Sequence, residues 1–150
     1  MAATVQLAAA APIIALAIAG PSVRPLVRDS WLRSQWKADM RWKMLRGDFF
    51  RGQGARIDRL LPRCSIITAI SPKVPDEVLG YIVLQVSRDD PIIHWLYVKQ
   101  PFRRLGIATQ LARAAASAGS GQLFYSHKGD ARGKKLALKF AAKFNPYLEE

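Results

Sequence analysis

The chain has 150 residues, half of them hydrophobic, and a formal net charge of +12. This composition excludes global disorder and fits one domain with one core. With Cys64 as the only cysteine and His94 and His127 as the only histidines, it also excludes an intrachain disulfide and a cysteine-based zinc site, and it gives a metal site little support. The positive charge favours polyanionic partners, namely nucleic acid, a nucleotide cofactor or anionic lipid.

Residues 1–22 form an apolar N-terminal segment without a charged side chain. A signal peptide would begin with basic residues, and a spanning helix would need a longer apolar run than the stretch that Pro12 interrupts. We therefore expect a core strand, a packed helix or a partner contact here rather than a membrane anchor. The folded domain is predicted to comprise residues 23–150.

Residues 23–63 are basic and aromatic. Asp29 or Ser30 is predicted to cap a helix that Gly47 ends. Its apolar stripe would comprise Trp31, Leu32, Trp36, Met40, Met44 and Leu45. The cations between them could form a nucleic-acid face, but most of the aromatic residues share the apolar stripe. The pattern therefore favours an amphipathic helix with tryptophans in the core and solvated cations.

Three segments rich in β-branched residues follow, at residues 64–70, 78–86 and 92–98, and turns are predicted at 71–77 and 88–91. This spacing predicts an antiparallel meander. A further strand is expected at residues 122–126 and a last helix at residues 134–144.

A short loop joins the third strand to a helix-forming segment that begins near Ala108. Such a junction can bind an anion, because the first helical turn leaves backbone N–H groups unpaired and the helix dipole adds positive charge. Gly106 would allow close approach of a phosphate, and Arg103 and Arg104 add fixed cations.

This loop resembles the pyrophosphate-binding signature of the GNAT superfamily of N-acetyltransferases, Gln/Arg–x–x–Gly–x–Gly/Ala. Arg103, Gly106 and Ala108 occupy its three defined positions, Val98 stands at the preceding strand end, and Phe102 is the aromatic before the arginine. The resemblance covers residues 64–144. The overall pattern of the sequence, including Phe–Asn–Pro–Tyr at residues 144–147, also looks like small acetyltransferase-like proteins encoded by tailed phages.

The resemblance implies an α/β (α+β) fold with a mixed, mostly antiparallel sheet flanked by helices. Residues 23–63 would supply the first strand and the first two helices, and the apolar N-terminal extension has no counterpart. Acetyl-CoA is the implied cofactor. Its pyrophosphate would bind backbone amides near Arg104, Gly106 and Ala108, with Arg103 beside them, and its pantetheine arm would pair with Leu96 and Val98.

Transfer to an amine acceptor requires a base. Strand alternation predicts that His94 shares a face with Leu96 and Val98, so His94 is one candidate base, or else a packed histidine. His127 is a second candidate, or else a surface residue. Phe140 stands where the family often has a tyrosine acid, which leaves Tyr147, Tyr125 or a water, and the strand at 92–98 lacks the common glutamate base.

Three functions remain open at this stage. The first is an acetyl-CoA-dependent N-acyltransferase, and the second is a DNA-modifying enzyme of the same fold that acts on a nucleobase. The third is an inactive binding or virion-associated protein. The expected location is the cytoplasm, that of the host if a phage encodes the chain. Four lysines of the last helix could contact the cofactor's 3′-phosphate or nucleic acid, or could form a solvated face: Lys134, Lys135, Lys139 and Lys143.

Overall fold

The computed structural model describes residues 14–129 and 131–148. Its strands form one six-stranded sheet in chain order, comprising β1 (Ala15–Ile18), β2 (Ser65–Ser71), β3 (Val74–Ser87), β4 (Asp90–Val98), β5 (Phe124–Tyr125) and β6 (Lys143–Phe144). Neighbours from β1 to β4 are antiparallel, whereas β5 is parallel to β4 and β6 is parallel to β5. The helices are α1 (Arg24–Gln35), α2 (Arg46–Leu60), α3 (Ile107–Ala116) and α4 (Ala131–Lys139).

The sheet separates two apolar clusters, which the alternation of side chains along β3 and β4 explains. Tyr81 and Val83 point toward α1 and α2, where Trp31 stacks on Trp95 with ring centroids 5.6 Å apart and planes 10° from parallel. Ile82 and Leu84 point the other way, toward α3. The architecture confirms the predicted α/β fold with a mostly antiparallel sheet flanked by helices.

The family resemblance suggested that residues 23–63 supply the first strand, and the structure shows that they do not. The first strand is Ala15–Ile18, which pairs with β2 through Ala15↔Ile70 to Ile18↔Ile67. Part of the apolar N-terminal segment is therefore a strand of the sheet, while residues 1–13 lie outside the described residues. Across the described ranges, no helix combines the length and hydropathy needed to cross a bilayer.

The first helix begins earlier and ends earlier than the sequence predicted. It starts at Arg24, since Pro25 is tolerated in a first turn, and it widens after Gln35 into a π-helical turn at Trp36–Met40. Gly47 lies in the first turn of α2 rather than ending α1. The predicted apolar stripe is correct for Trp31 and Leu32, which are buried, and wrong for Met44 and Leu45, whose side chains are 45% and 75% exposed.

The meander is confirmed, with tighter turns than predicted. β3 begins at Val74, and register shifts at Ala69–Ser71 absorb the extra residues of the predicted turn. Arg88 and Asp89 have φ of 51° and 70°, the two left-handed residues of a tight hairpin.

The C-terminal helix is shorter than predicted. It ends at Lys139, and Ala141 adopts a left-handed φ of 53° before β6. The Gln122 side chain donates a 2.7 Å hydrogen bond to the Ala141 carbonyl, which holds this reversal. Residues 143–144 are therefore a strand rather than the end of the helix.

Candidate functional site

Strands β4 and β5 separate soon after they meet. They pair only at Ile92↔Phe124 and Ile93↔Tyr125, and the Ser126 amide donates a last 3.0 Å bond to the Ile93 carbonyl. β4 then continues to Val98 without a strand partner on that side among the described residues. A groove of about 1290 Å³ opens between the diverging strands and reaches the start of α3.

A β-bulge in β4 determines which backbone groups face this groove. Val83 lies opposite Trp95 and Leu84 opposite Ile93, so His94 is the extra residue. The Lys99 amide donates to the Leu79 carbonyl, which directs position 99 toward β3. Alternation then directs the N–H and C=O groups of Leu96 and Val98 into the groove.

The bulge also changes the position of the His94 side chain. Leu96 and Val98 pack with the α3 cluster, but His94 contacts Gln85, which lies on the other face. The prediction that His94 shares a face with Leu96 and Val98 is therefore wrong, because one inserted residue shifts the alternation of the strand.

His94 links the two strands where they part. Its Nδ1 lies 2.7 Å from the Ser126 Oγ, and its Nε2 lies 2.8 Å from the Gln85 Oε1. Because the Gln85 carbonyl oxygen only accepts, Nε2 carries the proton and Nδ1 accepts from the serine hydroxyl. Burial, with a smaller contribution from the Arg56 charge, lowers the pKa of His94 to about 4. His94 is therefore a neutral bridge between β4 and β5.

The loop before α3 contains two residues in the left-handed conformation and leads into unpaired backbone amides. Arg104 and Gly106 both have left-handed φ, 66° and 83°. The first helical hydrogen bond runs from the Gln110 amide to the Gly106 carbonyl at 3.1 Å, so the amides at positions 107–109 precede the helical ladder. A Cβ built on Gly106 would meet no protein atom within 4 Å, which leaves the space above this turn open.

Arg103, the residue before Arg104, contacts the end of strand β4. Its Nε donates a 2.8 Å hydrogen bond to the Val98 carbonyl, and its guanidinium lies 5.8 Å from the centre of the Tyr97 ring. Arg103 therefore fixes the end of β4 against the loop.

The groove is strongly positive. Asp39 is the only carboxylate among its described lining residues, whereas the cations are Arg33, Lys37, Arg103, Arg104, Lys128, Arg132, Lys134, Lys135 and Lys139. Lys143, the fourth lysine singled out in the sequence, lies in β6 outside this lining. An anionic ligand is therefore favoured along the groove.

A histidine–carboxylate pair lines the groove. The His127 Nε2 is 3.0 Å from the Asp39 Oδ2, and the His127 ring is 5.2 Å from the Trp95 ring. The carboxylate accepts, so Nε2 carries the proton and Nδ1 keeps a lone pair. Burial lowers the pKa of His127, which the hydrogen bond and charge of Asp39 oppose. The imidazole is neutral at neutral pH and can accept a proton.

Asp39 and Ser126 contact the two histidines and were not predicted as site residues from the sequence. Asp39 is 88 positions from His127 and lies in a π-helical turn, so no local pattern connects the two residues. The two tyrosine candidates are separated by the fold: Tyr125 lines the groove, whereas Tyr147 is 87% exposed and outside the lining. Phe140 follows the end of α4.

Comparison with known proteins agrees with this geometry. The model of the acetyltransferase (GNAT) family matches residues 27–128. Similar solved structures include an acetyltransferase candidate from Pyrococcus furiosus (TM-score 0.71, 14% identity, 85% of this chain and 91% of that chain). Others are an acetyltransferase candidate from Bacillus subtilis (0.63, 17%, 85% and 90%) and the ribosomal-protein-alanine N-acetyltransferase of Brucella melitensis (0.58, 16%, 85% and 89%).

No curated protein matches the sequence. The structural likenesses, all below 25% identity, establish the fold, and the family match spans about two thirds of the sequence. The chain therefore belongs to the acetyltransferase (GNAT) family.

Proposed function

We propose that this protein is an acetyl-CoA-dependent N-acyltransferase that acts on an amine. Family membership supports acyl transfer to an amine as the class of reaction. The observation that carries the proposal is the unpaired edge of β4, which leads into the amide-rich turn before α3.

The chain's residues fit acetyl-CoA. The open space above Gly106 and the amides at positions 107–109 suit a pyrophosphate, and the Arg104 side chain adds a fixed cation. Arg103 supports this turn by donating to the Val98 carbonyl, and Ala108, whose side chain is small, lines the groove. The cations of α4 suit a further phosphate.

The backbone of β4 would hold the pantetheine arm. The groove-facing amides of Leu96 and Val98 can bind an extended chain in the way that a strand binds its neighbour. When bound, acetyl-CoA supplies an activated acyl thioester. A preorganised amide such as that of Leu96 would stabilise negative charge on the acyl oxygen, as an oxyanion hole does.

His127 is the proposed general base. Its Nδ1 would accept a proton from the acceptor amine, and Asp39 would hold the Nε2–H tautomer and stabilise the imidazolium. His94, the other histidine candidate, we assign as a positioning residue, because both of its ring nitrogens are engaged with Ser126 and Gln85. Tyr147, Tyr125 and water stay candidates for protonating the leaving thiolate, and of the two tyrosines Tyr125 lies along the groove.

The chemical class of the acceptor amine is a prediction from the charge of the groove. The cationic groove favours an acceptor that carries negative charge, and a nucleobase in DNA is the alternative that this charge supports. A phage origin, a cytoplasmic location and an inactive binding role are likewise predictions from the sequence.

The proposal is tested by calorimetric titration with acetyl-CoA. Asparagine tolerates left-handed φ, so Gly106→Asn keeps the turn and fills the phosphate space. We expect the wild type to bind acetyl-CoA. The affinity of Gly106→Asn for acetyl-CoA should be at least about tenfold lower, which corresponds to about 1.4 kcal/mol of binding free energy. Gly20→Asn, at another glycine with open space, is the matched control and should bind as wild type.

Turnover is tested separately with a panel of amines and free-thiol detection. We expect His127→Gln to bind acetyl-CoA normally and to lose turnover. Failure of the folded wild type to bind acetyl-CoA would refute the cofactor assignment. Equal turnover by the wild type and His127→Gln would refute the role of His127, and normal binding without turnover on any amine would favour the inactive binding protein.

A further inference from the structure

The connection between α1 and α2 exposes large apolar side chains. We call residues 41–46, the end of this connection together with the first residue of α2, the tip. Within it, Trp42 is 87% exposed, Leu45 75% and Met44 45%. All six tip residues are exposed, whereas Trp31 of the preceding helix is buried. Three exposed large apolar side chains within four residues are characteristic of a contact site.

The charges of the tip are not compensated in the way that those of the adjoining helices are. On α1 and α2, aspartates pair with Arg28 at 2.7 Å, with Arg33 at 2.7 Å and with Arg51 at 3.3 Å. Within the described ranges, no carboxylate forms an ion pair with a tip cation. Two of these cations lie over aromatic rings instead: Arg41 is 4.9 Å from the centre of Trp42, and Arg46 is 5.0 Å from that of Phe50.

We propose that the tip docks on the surface of an anionic lipid bilayer. Tryptophan and leucine side chains enter the boundary between headgroups and acyl chains, and neighbouring arginines and lysines bind the headgroup phosphates. The tip alternates these two classes, with cations at positions 41, 43 and 46 and apolar side chains at 42, 44 and 45. Docking requires only this surface and no spanning segment.

Nucleic acid fits the same residues less well. Single-stranded bases bind by stacking on exposed aromatic faces. Arg41 covers one face of Trp42, and the aliphatic side chains of Met44 and Leu45 offer no ring on which to stack. Their exposure has a physical use at an apolar boundary and none along a phosphate backbone.

Vesicle cosedimentation tests the proposal with the full chain. The probes are vesicles of phosphatidylcholine, with or without phosphatidylglycerol. Three basic residues, at about fivefold each, predict roughly a hundredfold preference for the anionic vesicles. The double variant Trp42→Ser, Leu45→Ser should bind these vesicles at least about tenfold more weakly. The matched control Leu138→Ser removes a side chain that is 82% exposed beside the lysines of α4, and it should bind as wild type.

A second measurement locates the contact. Lipids brominated near the headgroup should quench the fluorescence of the wild type, and Trp42→Phe should lose most of that quenching while still sedimenting with the vesicles. Equal vesicle binding by the double variant and the wild type would overturn the proposal, as would an equal loss in Leu138→Ser. A tip variant that loses duplex DNA binding but keeps vesicle binding would also overturn it and assign the tip to nucleic acid. These readouts need no acetyl-CoA.

Discussion

The two edges of strand β4 differ in how they are used. Along the β3 edge, pairing runs from Gly80↔Val98 to Ser87↔Asp90 with one bulge, whereas along the β5 edge it covers only Ile92 and Ile93. The same strand is thus paired along one edge, while along the other the N–H groups of Leu96 and Val98 have no strand partner among the described residues. Stability and binding are therefore separable by position along a single strand.

The largest effect is expected in the core between β4 and α1, which packs the strand from one face of the sheet. Trp31 is buried and stacks on Trp95 beneath the groove, so Trp31→Ala should lower the free energy of unfolding by about 3–5 kcal/mol in denaturant titration. Trp42→Ala, at an exposed tryptophan, should change it by no more than about 0.5 kcal/mol. Equal losses in the two variants would contradict the assignment of Trp31 to the core.

A proline substitution separates the two edges directly. Proline lacks an N–H, so Leu96→Pro removes a groove-facing donor while keeping the bonds to β3. We expect a folded protein whose turnover of acetyl-CoA falls about 10²–10³-fold. Tyr97→Pro, one residue on, removes a bond to β3 and should instead destabilise the fold by about 3 kcal/mol or more in denaturant titration. Equal losses of turnover and of stability in the two variants would contradict the difference between the two edges of β4.

The stability of the fold should decrease in acid because of His94, which lies where β4 and β5 separate. His94 has a pKa lowered from 6.5 to about 4 in the folded state, so below pH 6.5 the unfolded chain binds a proton that the folded chain does not. Stability should therefore fall as the pH drops from 6.5 to 4, by about 3 kcal/mol from this residue. Thermal unfolding of His94→Asn should show a shallower pH dependence than the wild type, and an unchanged slope would contradict the buried neutral imidazole.

The smallest expected change is a shift in a pH profile. Asp39 raises the pKa of His127 against the effect of burial, so Asp39→Asn should lower that pKa. The acid limb of kcat/KM should move to lower pH, because the neutral base then persists into more acidic solution, and the plateau should fall about tenfold through the loss of orientation. A limb that stays in place, or moves upward, would contradict the proposed effect of Asp39 on the His127 base.

What the sequence predicted well was local. Arg103, Gly106 and Ala108 lie within six residues between a strand and a helix, and the structure places them in such a junction. The three strands of the meander were predictable for the same reason, since their apolar runs are bounded by turn residues.

What the sequence did not predict depends on distant contacts. Asp39 meets His127 across 88 positions. A strand was only one of the alternatives for the apolar N-terminal segment, and the pairing of β1 with β2 decides between them. The position of His94 depends on a single bulge, which moves its side chain off the face predicted by alternation. Such a bulge leaves no composition signal in β4.

Amide hydrogen exchange at Leu96 and Val98 tests the central claim most directly. In the free protein these two amides should exchange faster than those of Trp95 and Tyr97, which bond to β3. Saturating acetyl-CoA should slow exchange at Leu96 and Val98 and leave Trp95 and Tyr97 unchanged. Unaltered exchange at both positions in a protein saturated with acetyl-CoA would contradict the assignment of the β4 edge as the binding surface.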